Sequence, residues 1–328
     1  GPHTRVVELS GRSVIPGLAD NHFHSIGGGP GVDLSRARSV EDVLDAIRER
    51  AEGTDPGGVV VTNSDWHEGQ LAEQRLPYRD DLDRAAPNKA VVVVRGGHEF
   101  ILNSAALDRW GIDESTDDVA GGRIGRYDDG RLNGELVDRA KDFVSLPSPS
   151  PAGPDAALDE QEAAHRILNS RGLTSIRHPG TSPAQYASLQ RLRDEGRLNL
   201  RVEVLMRAPR SGLPEQLAEA MEDWPDPDEG DAWLKMGGVK LGVDGGFEGG
   251  LMRDPYEEPW GEGGTFYGLQ TVPREPFVES VRALHAAGWR VATHAVGDAA
   301  IDLVLDAYES ANRDAPITGE RWVVEHAF

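Results

Sequence analysis

Four histidines in this chain follow or close short apolar runs, and their spacing is what metal chemistry would require. His22 and His24 stand in Asp20-Asn21-His22-Phe23-His24; His294 closes Val291-Ala292-Thr293, and His326 closes Val323-Val324-Glu325. Strand alternation places His22 and His24 on one face and Phe23 on the other. Two imidazoles on one face at a strand's end can hold one ion together. The chain has no Cys, so any metal site must use His or carboxylate ligands. The blander alternative is a set of hydrogen-bonded structural histidines. Convergence of all four rings on one place would count against it.

Lys240 is the second chemical signal. It lies in the apolar run Gly238-Val239-Lys240-Leu241-Gly242-Val243, followed by Asp244-Gly245. A Lys inside a buried strand needs a partner or a modification. One answer is a pair with Asp244. Another is carbamylation by CO₂, which turns the ammonium into a carboxylate able to bridge two metal ions.

These residues must be positioned by alternating strands and helices. Apolar β-branched runs occur at 18–24, 59–63, 90–95, 173–177, 200–206, 238–243, 290–294 and 322–326. Helical patterns fill 40–50, 154–171, 183–196, 214–223, 274–287 and 299–312. Ser39 is placed to cap the first helix, whose apolar residues recur at Val40, Val43, Leu44 and Ile47. Gly172 and Gly288 fall after a helix and before a strand, as stop signals should. Such alternation predicts an α/β fold with a parallel sheet. In a (β/α)₈ barrel the C-terminal strand ends converge on one site, so strands ending in His would meet there. Residues 113–153 and 244–272 are rich in Gly, Asp and Pro and read as long loops. The run Gly27-Gly28-Gly29 reads as a flexible turn where a site can open.

Bulk composition narrows the function. The 328 residues carry a formal net charge of −22, which disfavours nucleic acid as a partner. Lys occurs only at 89, 141, 235 and 240, an arginine-rich pattern that suits a high-GC or salt-adapted organism. No apolar run is long enough to span a bilayer, and no targeting segment is evident; a cytoplasmic location is the expectation. Whether copies form a homo-oligomer is not legible.

Together, these motifs resemble the amidohydrolase superfamily, in its family 3 branch, which includes N-substituted formamide deformylases. Pro16-Gly17-Leu18-Ala19-Asp20-Asn21-His22-Phe23-His24 resembles the first-strand motif. Arg95-Gly96-Gly97-His98 with Asn103-Ser104-Ala105-Ala106-Leu107 is similar to the branch's Gly-His and Asn-x-x-Ala-Leu block. Val239 to Gly245 is similar to its Lys and Asp-Gly block, and His294 to Asp298 to its His-Ala-x-Gly-Asp block. The resemblance implies a TIM-type barrel of about six strands here, spanning 17–328, with an α/β insertion at about 26–153. Residues 1–16 would be a remnant of a small N-terminal β-domain. It also implies a chain truncated at both ends and lacking the Asp expected on strand eight, with an inactive fragment as the alternative.

The implied activity is hydrolysis of an amide-type C–N bond of a small molecule by metal-activated hydroxide. His22 and His24 would hold one divalent ion, Zn²⁺ by default, His294 and His326 another, with carbamylated Lys240 between them. His98 would hydrogen-bond the substrate or its oxyanion, with a turn histidine as the alternative. Trp66 would wall the substrate or sit in the core. Asp244 and Asp298 would orient Lys240 or His294, with Asp244 also a substrate contact, and His178 could reach the site. His67, His165 and His285 read as surface or structural. Rival readings are a deaminase on the same scaffold and an inactive barrel with a binding role.

Overall fold

In a computed structural model, residues 2–26, 28–147, 153–257 and 260–328 are described. Gly27 and short parts of the two expected loops, 148–152 and 258–259, lie outside them. The larger sheet is wholly parallel. Its six strands are β1 (Leu18–Asp20), β7 (Leu173–Thr181), β8 (Arg201–Arg207), β9 (Leu234–Gly242), β10 (Val291–Ala295) and β11 (Val323–His326), paired in that order. It curls as part of a TIM-type barrel.

Helices cross between these strands, as parallel pairing demands. They are α4 (Pro154–Ser170), α5 (Pro183–Asp194), α6 (Pro214–Met221), α7 (Arg274–Ala286) and α8 (Asp298–Asp314). Each buries a stripe. In α7 the buried positions are Phe277, Ser280, Val281 and Leu284; in α8 they include Ala300, Leu303, Val304, Ala307 and Ala311. The small residues of α8 let it pack closely on α7 and on the sheet. Gly172 and Gly288 both take positive φ, 91° and 79°, as helix stops require.

Between β1 and β7 comes the insertion. A five-stranded sheet runs in the order β2 (Val59–Val61), β3 (Ala90–Arg95), β4 (Glu99–Leu102), β6 (Leu132–Asp138) and β5 (Gly122–Arg126). Helices α1 (Val40–Glu52), α2 (Arg79–Ala85) and α3 (Ser104–Trp110) cover it. The hairpin of β5 and β6 corrects the expectation of irregular structure throughout 113–153. Its sequence hides a strand because polar Asn133, Glu135 and Asp138 are buried in it. Arg95, ending β3, joins the two sheets: it bonds Glu68 at 2.7 Å within the insertion and Glu248 at 2.6 Å in the loop after β9.

One expectation changes. Strand β1 stops at Asp20 rather than His24, because the Asp20 carboxylate accepts the His22 backbone N–H at 2.9 Å and turns the chain. Pairing with β7 resumes for one bond, Phe23 N–H to Arg177 O, at 3.0 Å. The described residues 2–17 form no strand, and Val6, Val7, Val14 and Ile15 are exposed, having no partner strand. No helix among the described residues is long and apolar enough to cross a membrane.

The cap on α1 is as expected: Ser39 Oγ accepts the Asp42 backbone N–H at 3.1 Å. Ser39→Ala is expected to cost about 1 kcal/mol, read as a lowered urea midpoint at unchanged slope.

Candidate metal centre

The C-terminal ends of the parallel strands bring the four histidines together. Ring centroids lie 4.9 Å apart for His22 and His24, 4.7 Å for His22 and His326, and 4.6 Å for His294 and His326. They form a continuous run of imidazoles along one rim. His294 lies on β10 and His326 ends β11; His22 and His24 come from the bend after β1.

The surroundings keep His24, His294 and His326 in the form that ligates. Burial pushes His24 down to about 4, helped by the neighbouring His22. Burial likewise takes His294 to about 3 and His326 to about 4. A neutral imidazole has a lone pair for a cation. The run of donor nitrogens fits one or more divalent ions chemically. Among the described residues no three His, Asp or Glu donors are gathered round one point as an ion would hold them. Instead the rings satisfy one another and nearby groups: His22 Nε2 meets His24 Nε2 at 3.1 Å, and His294 Nε2 meets Gly245 O at 2.8 Å.

Lys240 lines the same cavity, on β9 between Arg207 of β8 and Ala292 of β10. Its ammonium makes no hydrogen bond or ion pair with another described residue. Burial lowers it to about 8, with Arg177 and Arg207 adding repulsion against the pull of Glu325.

Asp244 is not its partner. The Asp244 carboxylate is buried and accepts backbone N–H groups from Leu251, Val296 and Gly297, at 3.0, 3.1 and 2.8 Å. It stands 3.4 Å from His294 Nε2, and burial raises it to about 6. With its oxygens so occupied, it shapes the loop behind His294.

His98 stands at the rim, its ring stacked on His294 at 5.1 Å. His178 reaches the site only through the backbone, Nε2 to His24 O at 3.2 Å. Trp66 does not wall the cavity. Its indole N–H is drawn to Val94 O at 2.8 Å, which seats the ring in the insertion core. Asp298 does not touch His294 or Lys240. At the start of α8 it accepts the Arg253 backbone N–H at 2.9 Å and is half exposed. His67 caps a short turn, His285 bonds Ala315 O, and His165 is buried away from the rim.

Sequence reasoning passed over Glu325. Its carboxylate, only 6% exposed, bonds His22 Nδ1 at 2.8 Å and also Arg177. No motif marked it; in the sheet it stands in register with His294 of β10. Asp138 was also passed over: it bonds His98 Nδ1 at 2.6 Å. The four histidines, His98, Asp138 and Lys240 line a cavity of about 610 Å³, with Arg139, Lys141, Arg207 and Arg210 also in its wall.

Comparison with known proteins agrees with the architecture. The putative amidohydrolase YtcJ of Bacillus subtilis (strain 168) is 29% identical over 322 residues, covering 94% of this chain and 58% of that protein. The N-substituted formamide deformylase of Arthrobacter pascens is 28% identical over 331 residues, covering 96% of this chain and 59% of that protein. The chain thus spans somewhat under three fifths of the length of these relatives. The crystal structure of an uncharacterized metal-dependent hydrolase from Pyrococcus horikoshii OT3 superposes with a TM-score of 0.56, at 21% identity, over 90% of this chain and 56% of that one. That likeness establishes the shared fold. The sequence matches the amidohydrolase family from residue 5 to residue 327, and the chain belongs to that family.

Proposed function

We propose that this chain carries the catalytic centre of a metal-dependent hydrolase that cleaves an amide-type C–N bond in a small molecule, such as an amide, a formamide or a cyclic amide. The observation that carries the reading is the run of four contiguous imidazoles at the C-terminal rim of a parallel sheet, open to a cavity. His22 and His24 would hold one divalent ion and His294 and His326 another, with Zn²⁺ as the first candidate for so nitrogen-rich a set. Such an ion, when bound, supplies a Lewis acid that polarises a carbonyl and lowers the pKa of water from about 15.7 towards about 7.

The protein's own groups prepare the site. Glu325 fixes the orientation of His22 by accepting from Nδ1, and Asp244 backs His294. With Lys240 lowered to about 8, an appreciable share of its amine is uncharged at neutral pH. That amine can attack CO₂: an N–C bond forms, a proton leaves to solvent, and a carboxylate stands where an ammonium stood. A carbamylated Lys240 would lie beside both histidine pairs, where an ammonium would repel cations. His98, at the rim, would hydrogen-bond the substrate. The named activity of the Arthrobacter pascens relative makes N-substituted formamides the first compounds to try.

The test measures bound metal by mass spectrometry and turnover of a panel of formamides, linear amides, cyclic amides, aminopurines and pyrimidines. At least one tightly held ion per chain is expected, with turnover confined to the amides. In His294→Ala both are expected to fall together. A chain that binds no metal and hydrolyses no amide would end this reading, and turnover of the aminated heterocycles alone would redirect it to deamination.

A further inference from the structure

Asp138 belongs to the insertion, yet it sits at the lip of the histidine-lined cavity. It holds His98 twice. Its Oδ1 meets His98 Nδ1 at 2.6 Å, and its backbone N–H donates to His98 O at 2.7 Å. The residue is 4% exposed, and its other carboxylate oxygen, Oδ2, is buried without a hydrogen-bond partner. Its backbone is held at φ 48°, ψ −112°, a region that residues with a side chain rarely enter.

The loop after β9 leaves space for it. A Cβ added at Gly245 would lie 2.0 Å from Asp138 Oδ2, and one at Gly249 would lie 2.8 Å away. A buried, strained carboxylate, accommodated by two glycines of the loop after β9, is poorly explained by packing of the insertion alone. It is well explained by what it does to His98.

With the Asp138 carboxylate as acceptor, the hydrogen of this contact is donated by His98 Nδ1. The remaining nitrogen, Nε2, bonds no other described residue, while the ring lines the cavity and stacks on His294. We propose that Asp138 is a positioning residue that locks His98 with its proton on Nδ1 and so presents Nε2 to the substrate as an acceptor for the amide N–H. The proposal rests on the hydrolase reading above and narrows it: the preferred substrate carries hydrogen on the scissile nitrogen. An N,N-disubstituted amide would leave Nε2 unpaired at the rim and bind less well.

The experiment is ¹⁵N NMR of the histidine rings in the zinc-loaded full chain, with His98 assigned by its loss in His98→Gln. The wild type is expected to show a protonated Nδ1 and a bare Nε2 on His98. Asp138→Asn, whose amide can donate, is expected to move the proton towards Nε2, and Asp138→Glu to restore the wild-type pattern. In parallel, kcat/KM for an N-monosubstituted formamide should fall at least tenfold in Asp138→Asn. Its advantage over the N,N-disubstituted analogue should shrink. A wild-type His98 protonated on Nε2 would overturn the proposal, and so would a tautomer unchanged in Asp138→Asn. The wild-type spectrum needs no variant to fold. If no amide is turned over, the hydrolase reading fails while the NMR still decides the dyad.

Discussion

Lys240→Ala is expected to lower kcat/KM for amide hydrolysis by about a thousandfold or more and to reduce the metal held per chain. A thousandfold loss is about 4 kcal/mol of transition-state stabilisation, within the several kcal/mol that Lewis-acid catalysis supplies. The expectation follows from position and charge. Lys240 lies in the middle of the parallel sheet on β9, and its side chain enters the cavity that the four histidines line. Its nitrogen has no partner among the described residues and is lowered to about 8, chiefly by burial. An amine placed there is suited to take up CO₂ and become an anionic ligand. If Lys240 carries the proposed carbamate, the alanine variant loses that anion, so small carboxylates such as formate or acetate should recover part of the activity. Ammonium salts should not. Metal content and turnover unchanged from wild type would remove Lys240 from the site altogether.

The second large effect is expected at Glu325. Glu325→Ala should destabilise the chain by about 3–5 kcal/mol, the usual cost of leaving a buried charge uncompensated. The stranded charge is Arg177, 15% exposed, which bonds Glu325 on one side and Asn21 O at 2.7 Å on the other. The same change frees the His22 ring, so metal affinity should fall about 10–100-fold. The pH dependence has a definite sign. Burial alone would raise the Glu325 pKa, but the hydrogen bond from His22 and the charge of Arg177 outweigh it and leave the pKa lowered. Its contribution is therefore fully present above the unfolded glutamate pKa of about 4.3 and is lost as pH falls through the lower folded value. Urea midpoints for wild type and Glu325→Ala should converge in acid. A gap that is already absent at neutral pH would contradict this account.

Much of this arrangement was legible in the sequence because it lies on regular elements. The parallel strands announced themselves as β-branched runs, and the helix periodicities agree with the observed spans within a few residues. Lys240, His294 and His326 were placed on three consecutive strands of the sheet by counting those runs, and the structure pairs those strands side by side. What escaped notice depended on side chains that override local pattern. Asp20 bends the chain before His22, yet the His22 and His24 rings still meet. Trp66 and Asp298 were drawn elsewhere by single hydrogen bonds, to Val94 and from Arg253, that no spacing rule reveals. Asp138 lay in a stretch rich in Gly and Asp, where a buried polar strand does not look like a strand. Glu325 had no motif of its own, and only its long-range contacts with Arg177 and His22 show its use.

Arg95 has a consequence for anyone who recombines members of this fold. One guanidinium, 12% exposed, serves carboxylates on both bodies: Glu68 of the insertion and Glu248 of the loop after β9. Its planar fork can address both at once, which a lysine's single ammonium does less well. A chimera whose imported insertion lacks this arginine but which keeps the native loop would split the clasp and leave Glu248 without its partner. The two segments are therefore inherited units of exchange only as a pair, and a double substitution of Arg95 and Glu248 should cost less than the sum of the single ones.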